Sequence, residues 1–169
     1  MLKLRFPKTK IHYWASLYPV DDDSKIEEMI SPAVRSRGYY TKSELAEVFY
    51  WKTPRTIHLV RRNPDDFVEK TTICSLSAIE EKTRIKSLTA LNGVGWPTAS
   101  VLLHFGHRDP YPILDFRALW SLGLDYSPAV YTFHFWWEYV HFCRNLAEKS
   151  GVSMRTLDRA LWQYSKENQ

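Results

Sequence analysis

The sequence lacks the features that mark secreted, membrane-bound and cluster-bearing proteins. It has two cysteines in 169 residues, too few for a disulfide framework or for a zinc or iron–sulfur site held by four cysteines. Charged residues and histidines break every apolar run well short of a membrane span. The first ten residues, MLKLRFPKTK, lack the apolar core of a secretory signal. These absences predict a soluble, cytoplasmic protein with no membrane contact and no iron–sulfur cluster.

Aromatic side chains, by contrast, are abundant: seven Trp, ten Tyr and eight Phe make up 15% of the chain. Hydrophobic residues make up 44% and charged residues 25%, which is ordinary globular composition. We find no internal repeat and no linker rich in Gly, Ser or Pro, so we expect a single domain over 1–169 with an irregular segment at 1–20. The net charge of +4 agrees with a polyanionic partner, although many enzymes that bind no nucleic acid carry as much charge.

Helical signals run through almost the whole chain, and no segment alternates with the period of a strand. The sequence therefore predicts an all-α fold. The cap signals are Gly38 and Gly151 at helix ends, the capping-box pattern Thr41–Glu44, and Ser77 and Ser153 at helix starts. The expected helices cover 24–36, 41–53, 55–62, 64–73, 77–91, 97–105, 116–123, 131–149 and 153–167.

The most informative stretch is LTALNGVGWPTAS, residues 88–100. Two expected helices are joined here by a turn that holds Gly93 and Gly95, with Val94 between them. Glycine accepts positive φ and lets another backbone approach closely. The free amides at the start of the second helix carry its positive dipole end and can bind a phosphate. The alternative is an ordinary turn between two helices that happens to contain glycine.

This stretch resembles the helix-hairpin-helix motif of the DNA glycosylase superfamily that includes endonuclease III, the adenine glycosylases and the 8-oxoguanine glycosylases. The residues that fall in its pattern are Leu88, Leu91, Gly93, Val94, Gly95, Thr98 and Ala99. The resemblance implies a compact domain that binds double-stranded DNA, flips out a base and cleaves its N-glycosidic bond in base excision repair. It places the DNA contacts at Gly93, Val94, Gly95, Trp96 and Thr98, with Val94 pointing inward.

The resemblance continues to Asp115, which lies 18 residues after Pro97 at the start of an expected helix. In the superfamily an aspartate at this place is the catalytic carboxylate, because the bond breaks through an oxocarbenium-like sugar that a negative charge stabilises. The alternative is a plain helix cap, and one carboxylate can do both. Arg117 matches a residue that contacts backbone phosphate; its alternative is an ordinary surface arginine.

Two further features follow from the resemblance. Pro97 stands where the members with lyase activity carry a lysine, so no amine is present there to form a Schiff base, and a monofunctional hydrolase is implied. Main-chain carbonyls of Thr89, Leu91 and Val94 match those that hold a K⁺ or Na⁺ ion in relatives. No other cofactor is expected.

A second candidate group lies in EVFYWKTPRTIH, residues 47–58, where the superfamily places its base pocket. Tyr50 and Trp51 have the side chains to stack on an extruded base. Lys52 and Arg55 have the charge to bind phosphates, and Glu47 aligns with the general acid of the adenine-excising branch. The alternative is that this segment is core and the end of a kinked helix.

The remaining features have simple structural explanations. The aromatic block 131–142 fits a helix packed through Phe133, Trp136, Trp137 and Val140. Cys74 and Cys143 are expected to be small buried apolar residues. The rival to a glycosylase is a catalytically inactive DNA-binding module of the same fold, and a weaker rival is a helical domain that binds other proteins.

Overall fold

The structure is a computed structural model that describes residues 2–19, 23–125 and 130–169, and these residues form helices and connecting turns with no strand among them. Within these residues there are ten α-helices: α1 (Ile11–Ser16), α2 (Ser31–Arg37), α3 (Lys42–Lys52), α4 (Ile57–Val60), α5 (Asp65–Ser77), α6 (Glu81–Leu88), α7 (Trp96–Gly106), α8 (Phe116–Ser121), α9 (Phe133–Ser150) and α10 (Met154–Asn168). The predicted all-α fold class is confirmed. In the ranges just given, none of the helices has both the length and the apolar character that a membrane span needs.

Contacts between residues divide the chain into two compact units. The middle unit is Val20–Asp109, and the terminal unit joins Met1–Pro19 to Pro110–Gln169. The candidate hairpin belongs to the middle unit and Asp115 belongs to the terminal unit. That residues 1–169 form one domain stays a prediction.

Local signals set the helix ends of the middle unit. The Thr41 backbone N–H donates to the Glu44 carboxylate at 2.8 Å, and the Glu44 N–H donates to Thr41 Oγ1 at 3.3 Å, so the predicted capping box is present. Gly38 ends α2 with a left-handed φ of 89°. The helix expected over 24–36 is not uniform, because Ile26–Ile30 forms a π-helical turn before α2.

Helix α7 forms the core of the middle unit. Every residue from Thr98 to Gly106 is buried. The Tyr40 hydroxyl donates a hydrogen bond to the Leu102 carbonyl at 2.8 Å. A Cβ at Gly106 would lie 2.7 Å from the Tyr40 ring, so this packing requires the absence of a side chain.

The helix expected over 77–91 is shorter than predicted, and Ser77 does not cap it. Ser77 is the last residue of α5, and its hydroxyl donates back to the Ile73 carbonyl at 2.7 Å. Helix α6 begins at Glu81 and ends at Leu88, because tight turns with bonds between residues three apart follow it. Ile79, expected on the apolar face, is 95% exposed.

Buried Arg84 on α6 holds the end of α5. Its guanidinium donates to the carbonyls of Ser75 at 3.3 Å and Leu76 at 3.1 Å, and to that of Ala78. The Ser75 carbonyl also accepts the N–H of the C-cap residue Ala78 at 3.3 Å, so an arginine from the next helix adds to the local cap.

The terminal unit contains the first residues of the chain. The segment 1–20, expected to be irregular, includes helix α1, which packs against α10. Ahead of it, the Lys3 and Arg5 N–H groups donate to the Leu122 and Ser121 carbonyls at 2.8 and 2.9 Å. The local pattern missed α1 because its stability depends on contacts with a helix more than a hundred residues away.

The aromatic block on α9 is only partly buried. Trp136 and Val140 are fully buried, as expected, and Trp136 stacks on Tyr111. Phe133 and Trp137 are half-buried and stack on each other at 6.2 Å, instead of packing wholly into the core. Helix α9 begins two residues after the expected Tyr131, with Thr132 as its cap, and Gly151 ends it with a φ of 63°.

Candidate functional site

The turn between α6 and α7 has the conformation that its glycines permit. Gly93 has a φ of 85°, which is in the left-handed region, and a Cβ added there would lie 3.1 Å from the Leu59 Cβ. Both the dihedral angle and the space therefore require glycine. Val94 is buried at 7% exposure and points inward, as the resemblance implies. Gly95 is extended at the N-cap position of α7.

A buried asparagine that sequence reasoning missed braces this turn. The Asn63 side-chain amide donates to the Val60 carbonyl at 2.9 Å and to the Asn92 carbonyl at 3.1 Å. Its oxygen accepts from the Asn92 N–H at 2.8 Å. One side chain thus ties the turn to the end of α4, and Asn63 is fully buried. The pattern Asn-Pro at 63–64 indicated only a helix start.

The start of α7 has the character of an anion site. Gly95 offers no side chain that caps the helix, and Pro97 occupies the first turn, where its missing N–H costs nothing. Backbone N–H groups and the positive end of the helix dipole meet here, which favours a bound phosphate. Thr98 points inward, since it is buried, while Trp96 is half-buried beside the turn.

The segment 47–58 lies against the hairpin within the middle unit. The Phe49 ring is fully buried, and it lies 3.5 Å from the position that a Cβ on Gly93 would occupy. Tyr50, the next residue, is 69% exposed, so the two aromatic residues divide between core and surface. Trp51 is half-buried and meets Phe105 edge to face at 5.7 Å.

The charged residues of this segment have different surroundings. The Glu47 carboxylate forms an ion pair with Lys25 at 2.9 Å. Lys52 is the last residue of α3, and Arg55 is exposed in the 3-10 turn Pro54–Thr56 that follows. Lys52 is half-buried, and both cations follow exposed Tyr50 within five residues of the chain.

Asp115 is the N-cap of α8 in the terminal unit. Its Oδ1 accepts from the Arg117 N–H at 2.9 Å, so the predicted cap is present. The residues before it, Ile113 and Leu114, are buried, and the Tyr139 hydroxyl donates to the Ile113 carbonyl at 2.7 Å. The buried residues Ile113 and Leu114 therefore fix the backbone just before the half-buried Asp115 carboxylate.

A second carboxylate, Asp158 on α10, lies near the same tyrosine. Burial is the largest cause that raises the pKa of Tyr139 well above its usual range, and Cys143, Asp158 and Asp115 raise it further. Asp158 is buried and paired with Arg155. Burial lowers the pKa of Arg155, and the charge of Asp158 opposes this effect.

Arg117 lies over two aromatic rings. Its guanidinium carbon is 5.1 Å from the centre of the Phe116 ring and 5.5 Å from that of Trp162. Trp162 belongs to α10, and no sequence pattern linked it to Arg117. A helical-wheel analysis of α10 would have placed Trp162 on the same face as Arg155, but it would not have linked Trp162 to Arg117.

The three carbonyls that were predicted to hold a monovalent cation belong to residues 89–94. The Leu91 carbonyl accepts the Val94 N–H at 3.1 Å and keeps a second lone pair. Main-chain oxygens of this kind suit K⁺ or Na⁺, and the site at Thr89, Leu91 and Val94 stays a prediction. In the part of the chain that the structure describes, no three His, Cys, Asp or Glu side chains come together as a metal site.

Comparison with known proteins gives a likeness of fold. No protein-family model matches the sequence, and no curated protein matches it. One solved structure that does match is the crystal structure of Methanocaldococcus jannaschii 8-oxoguanine glycosylase/lyase in complex with a 15mer DNA containing 8-oxoguanine. The TM-score is 0.50 at 20% identity, over 95% of this chain and 80% of that one. The chain has a DNA glycosylase-like fold. At this identity the likeness is one of fold.

Proposed function

We propose that the protein is a monofunctional DNA glycosylase that hydrolyses the N-glycosidic bond of a flipped-out base. The proposal rests on two local structures that occur together in a glycosylase-like fold. One is the glycine turn with its inward valine ahead of α7, and the other is the carboxylate at the head of α8. The solved structure of similar fold is a glycosylase/lyase bound to DNA, which supports DNA as the partner.

The hairpin would anchor the DNA. Backbone amides after Gly95 would bind a phosphate without reading the base, which positions the duplex and leaves selectivity to the pocket. Exposed Tyr50 and half-buried Trp51 are the candidates to stack on a displaced base, and Lys52 with Arg55 would hold the strand beside it.

Asp115 would stabilise the sugar cation. As the bond between C1′ and the base nitrogen breaks, the base leaves with the electron pair and positive charge grows on the sugar ring. A fixed carboxylate lowers the free energy of that state, and water then adds to C1′ and loses a proton. Glu47 is the candidate proton donor to the leaving base, and its ion pair with Lys25 would have to open first.

The proposed reaction stops at hydrolysis. A lyase step needs a side-chain amine to attack C1′ and form a Schiff base, and Pro97 has none. In this respect the proposal differs from the glycosylase/lyase of similar fold.

A base-release assay tests the proposal. Duplexes that carry 8-oxoguanine, uracil, alkylated bases or mismatches are incubated with the protein, and strand breaks are counted with and without hot alkali. We expect breaks only after alkali, and a loss of roughly 100-fold or more in Asp115→Asn. Asparagine caps helices as well as aspartate does, so this variant removes the charge and keeps the fold.

Two results would contradict it. Breaks without alkali, with a covalent adduct trapped by borohydride, would show a lyase. Release by Asp115→Asn at the rate of the unchanged protein would remove Asp115 from the chemistry.

The inactive DNA-binding module is the second candidate, and one observation favours it. The Asp115 carboxylate already has a structural task, since it caps α8 through the Arg117 N–H. The same assay separates the two candidates: duplex binding by both proteins with no release from any duplex supports the module.

A further inference from the structure

A row of cations with one tryptophan runs along α10 on the side opposite its buried apolar residues. Arg155, Arg159, Trp162 and Lys166 follow one another at helical spacing, three of them half-buried and Lys166 exposed. The opposite side of the helix carries buried Leu157, Ala160 and Leu161. The row therefore lies opposite the apolar side of the helix, with Lys166 exposed and the Arg155 side chain only 15% exposed.

Two aromatic rings hold these cations in place. Tyr18 lies 5.3 Å from the Arg155 guanidinium and 5.4 Å from that of Arg159. Trp162 lies 5.0 Å from the Lys166 ammonium and, on the α8 side, 5.5 Å from Arg117. The two rings meet edge to face at 5.3 Å. We call the set Tyr18, Arg117, Arg155, Arg159, Trp162 and Lys166 the α10 strip.

The charge of the α10 strip is only partly balanced. Asp158 pairs with Arg155, and Asp115 lies at the head of the helix that carries Arg117. Within residues 2–19, 23–125 and 130–169, neither Arg117 nor Lys166 forms an ion pair. Like charges at this spacing repel each other, so an anionic partner would stabilise the arrangement.

The layout of the charges favours a polymer over a small anion. From Arg155 to Lys166 the helix rises by about 16 Å, so the cations form a line and do not converge on one point. Nucleic acid places a phosphate every 3.4 Å or so along each strand, and this matches a line of cations several phosphates long. Arginine, which supplies three of the four cations, also pairs with phosphate through two nitrogens.

We propose that the α10 strip of the terminal unit binds the phosphodiester backbone of DNA, in addition to the hairpin of the middle unit. The proposal rests on the proposed function for its partner. In this proposal the aromatic rings of Tyr18 and Trp162 hold the cations in position and do not themselves contact the DNA.

The test compares two variants that remove the same charge. Arg159→Gln/Lys166→Gln alters the strip, and Lys8→Gln/Lys149→Gln alters exposed lysines elsewhere in the terminal unit. Arg155 is left alone, because its loss would strand the buried Asp158 charge. Affinity for a fluorescent duplex is measured by anisotropy between about 50 and 200 mM salt. A third variant, Trp96→Glu, introduces a negative charge at the start of α7 and so tests binding at the hairpin.

We expect the strip variant to bind at least about tenfold more weakly than the lysine control, with a salt slope lower by about two, because each lost phosphate contact removes about 0.9 from the slope. Thermal melts of the two double variants should agree.

Three other outcomes would contradict either the strip proposal or the proposed function. A strip variant that matches the lysine control, while Trp96→Glu binds weakly, overturns the strip and leaves the proposed function standing. Weaker binding with an unchanged slope also overturns it, since the loss then is not of phosphate contacts. Absence of duplex binding by the unchanged protein overturns the proposed function itself.

Discussion

Asp115 shows how one side chain is placed by neighbours on both sides of it in the chain. The N–H of Arg117 holds its carboxylate at 2.9 Å, and the carbonyl of Ile113, two residues earlier, is held by the Tyr139 hydroxyl. Tyr139 is fully buried, and burial raises its pKa well above the usual range, so the hydroxyl stays protonated even at a pH where an exposed tyrosine would ionise. Removal of that hydroxyl would leave a buried carbonyl without its donor and loosen the backbone under Asp115.

The two cysteines should differ in reactivity. Both are free: Cys143 is buried, and Cys74 is exposed, against the sequence expectation that both would be buried. Burial is the largest cause that acts on the Cys143 thiol and raises its pKa, so the reactive thiolate does not form in the folded protein. We expect a disulfide reagent at about pH 8 to modify one thiol in the folded chain and two after unfolding.

Cys74→Ser is the control for the thiol count. It should show no reactive thiol until the protein unfolds. Rapid modification of a thiol in this variant under native conditions would mean that Cys143 is accessible, contrary to its burial.

At the scale of elements, the hairpin depends on a residue outside it. Gly93 and Val94 supply the local geometry, but Asn63 closes the turn from the end of α4 with three hydrogen bonds. Without the Asn63 side chain the Asn92 N–H and the Asn92 carbonyl would lose this partner, whereas the Val60 carbonyl would keep the Asn63 backbone N–H at 3.0 Å. The amides that would bind phosphate would then no longer be held in one arrangement.

Asn63→Ala should lower the free energy of unfolding by about 2–3 kcal/mol, because it strands backbone groups that Asn63 now satisfies. Asn92→Ala is the matched control: its side chain is exposed and only its main chain takes part, so the change should stay within about 0.5 kcal/mol. Urea unfolding of both variants gives the comparison. Equal stabilities would show that the Asn63 side chain does not brace the turn.

At the scale of the whole chain, the first residues complete a unit built otherwise from residues 110–169. Phe6 is 7% exposed with its ring 4.6 Å from that of Tyr164, and Ile11 is 1% exposed. The terminal unit therefore cannot bury its core until both ends of the chain have been made, and this long separation costs loop-closure entropy.

Phe6→Ala should lower the free energy of unfolding of the terminal unit by about 3 kcal/mol, since it removes a buried aromatic ring. Tyr13→Ala, in the same segment but 52% exposed, should cost less than about 1 kcal/mol. Denaturant titration followed by tryptophan fluorescence measures both. A Phe6→Ala protein as stable as Tyr13→Ala would show that residues 2–19 add little to the unit.

Predictions from sequence succeeded where a feature depends on residues close in the chain. The capping box at Thr41 and Glu44, the glycine ends of α2 and α9, and the caps at Asp115 and Ser153 are all confirmed. The prediction that Ser77 caps a helix was wrong, and the reason is also local. Its hydroxyl donates instead to the Ile73 carbonyl in the preceding turn.

What the sequence determined by itself was the all-α class, the glycine turn and the capped carboxylate, since periodicity and caps act within a few residues. Only the tertiary structure decided that Asn63 closes the turn from 29 residues away, that Arg84 ends α5, and that Trp162 meets Arg117. Those contacts join residues that no local pattern couples. Their free energy comes from burial and pairing in the folded chain, which arise after the helices have packed.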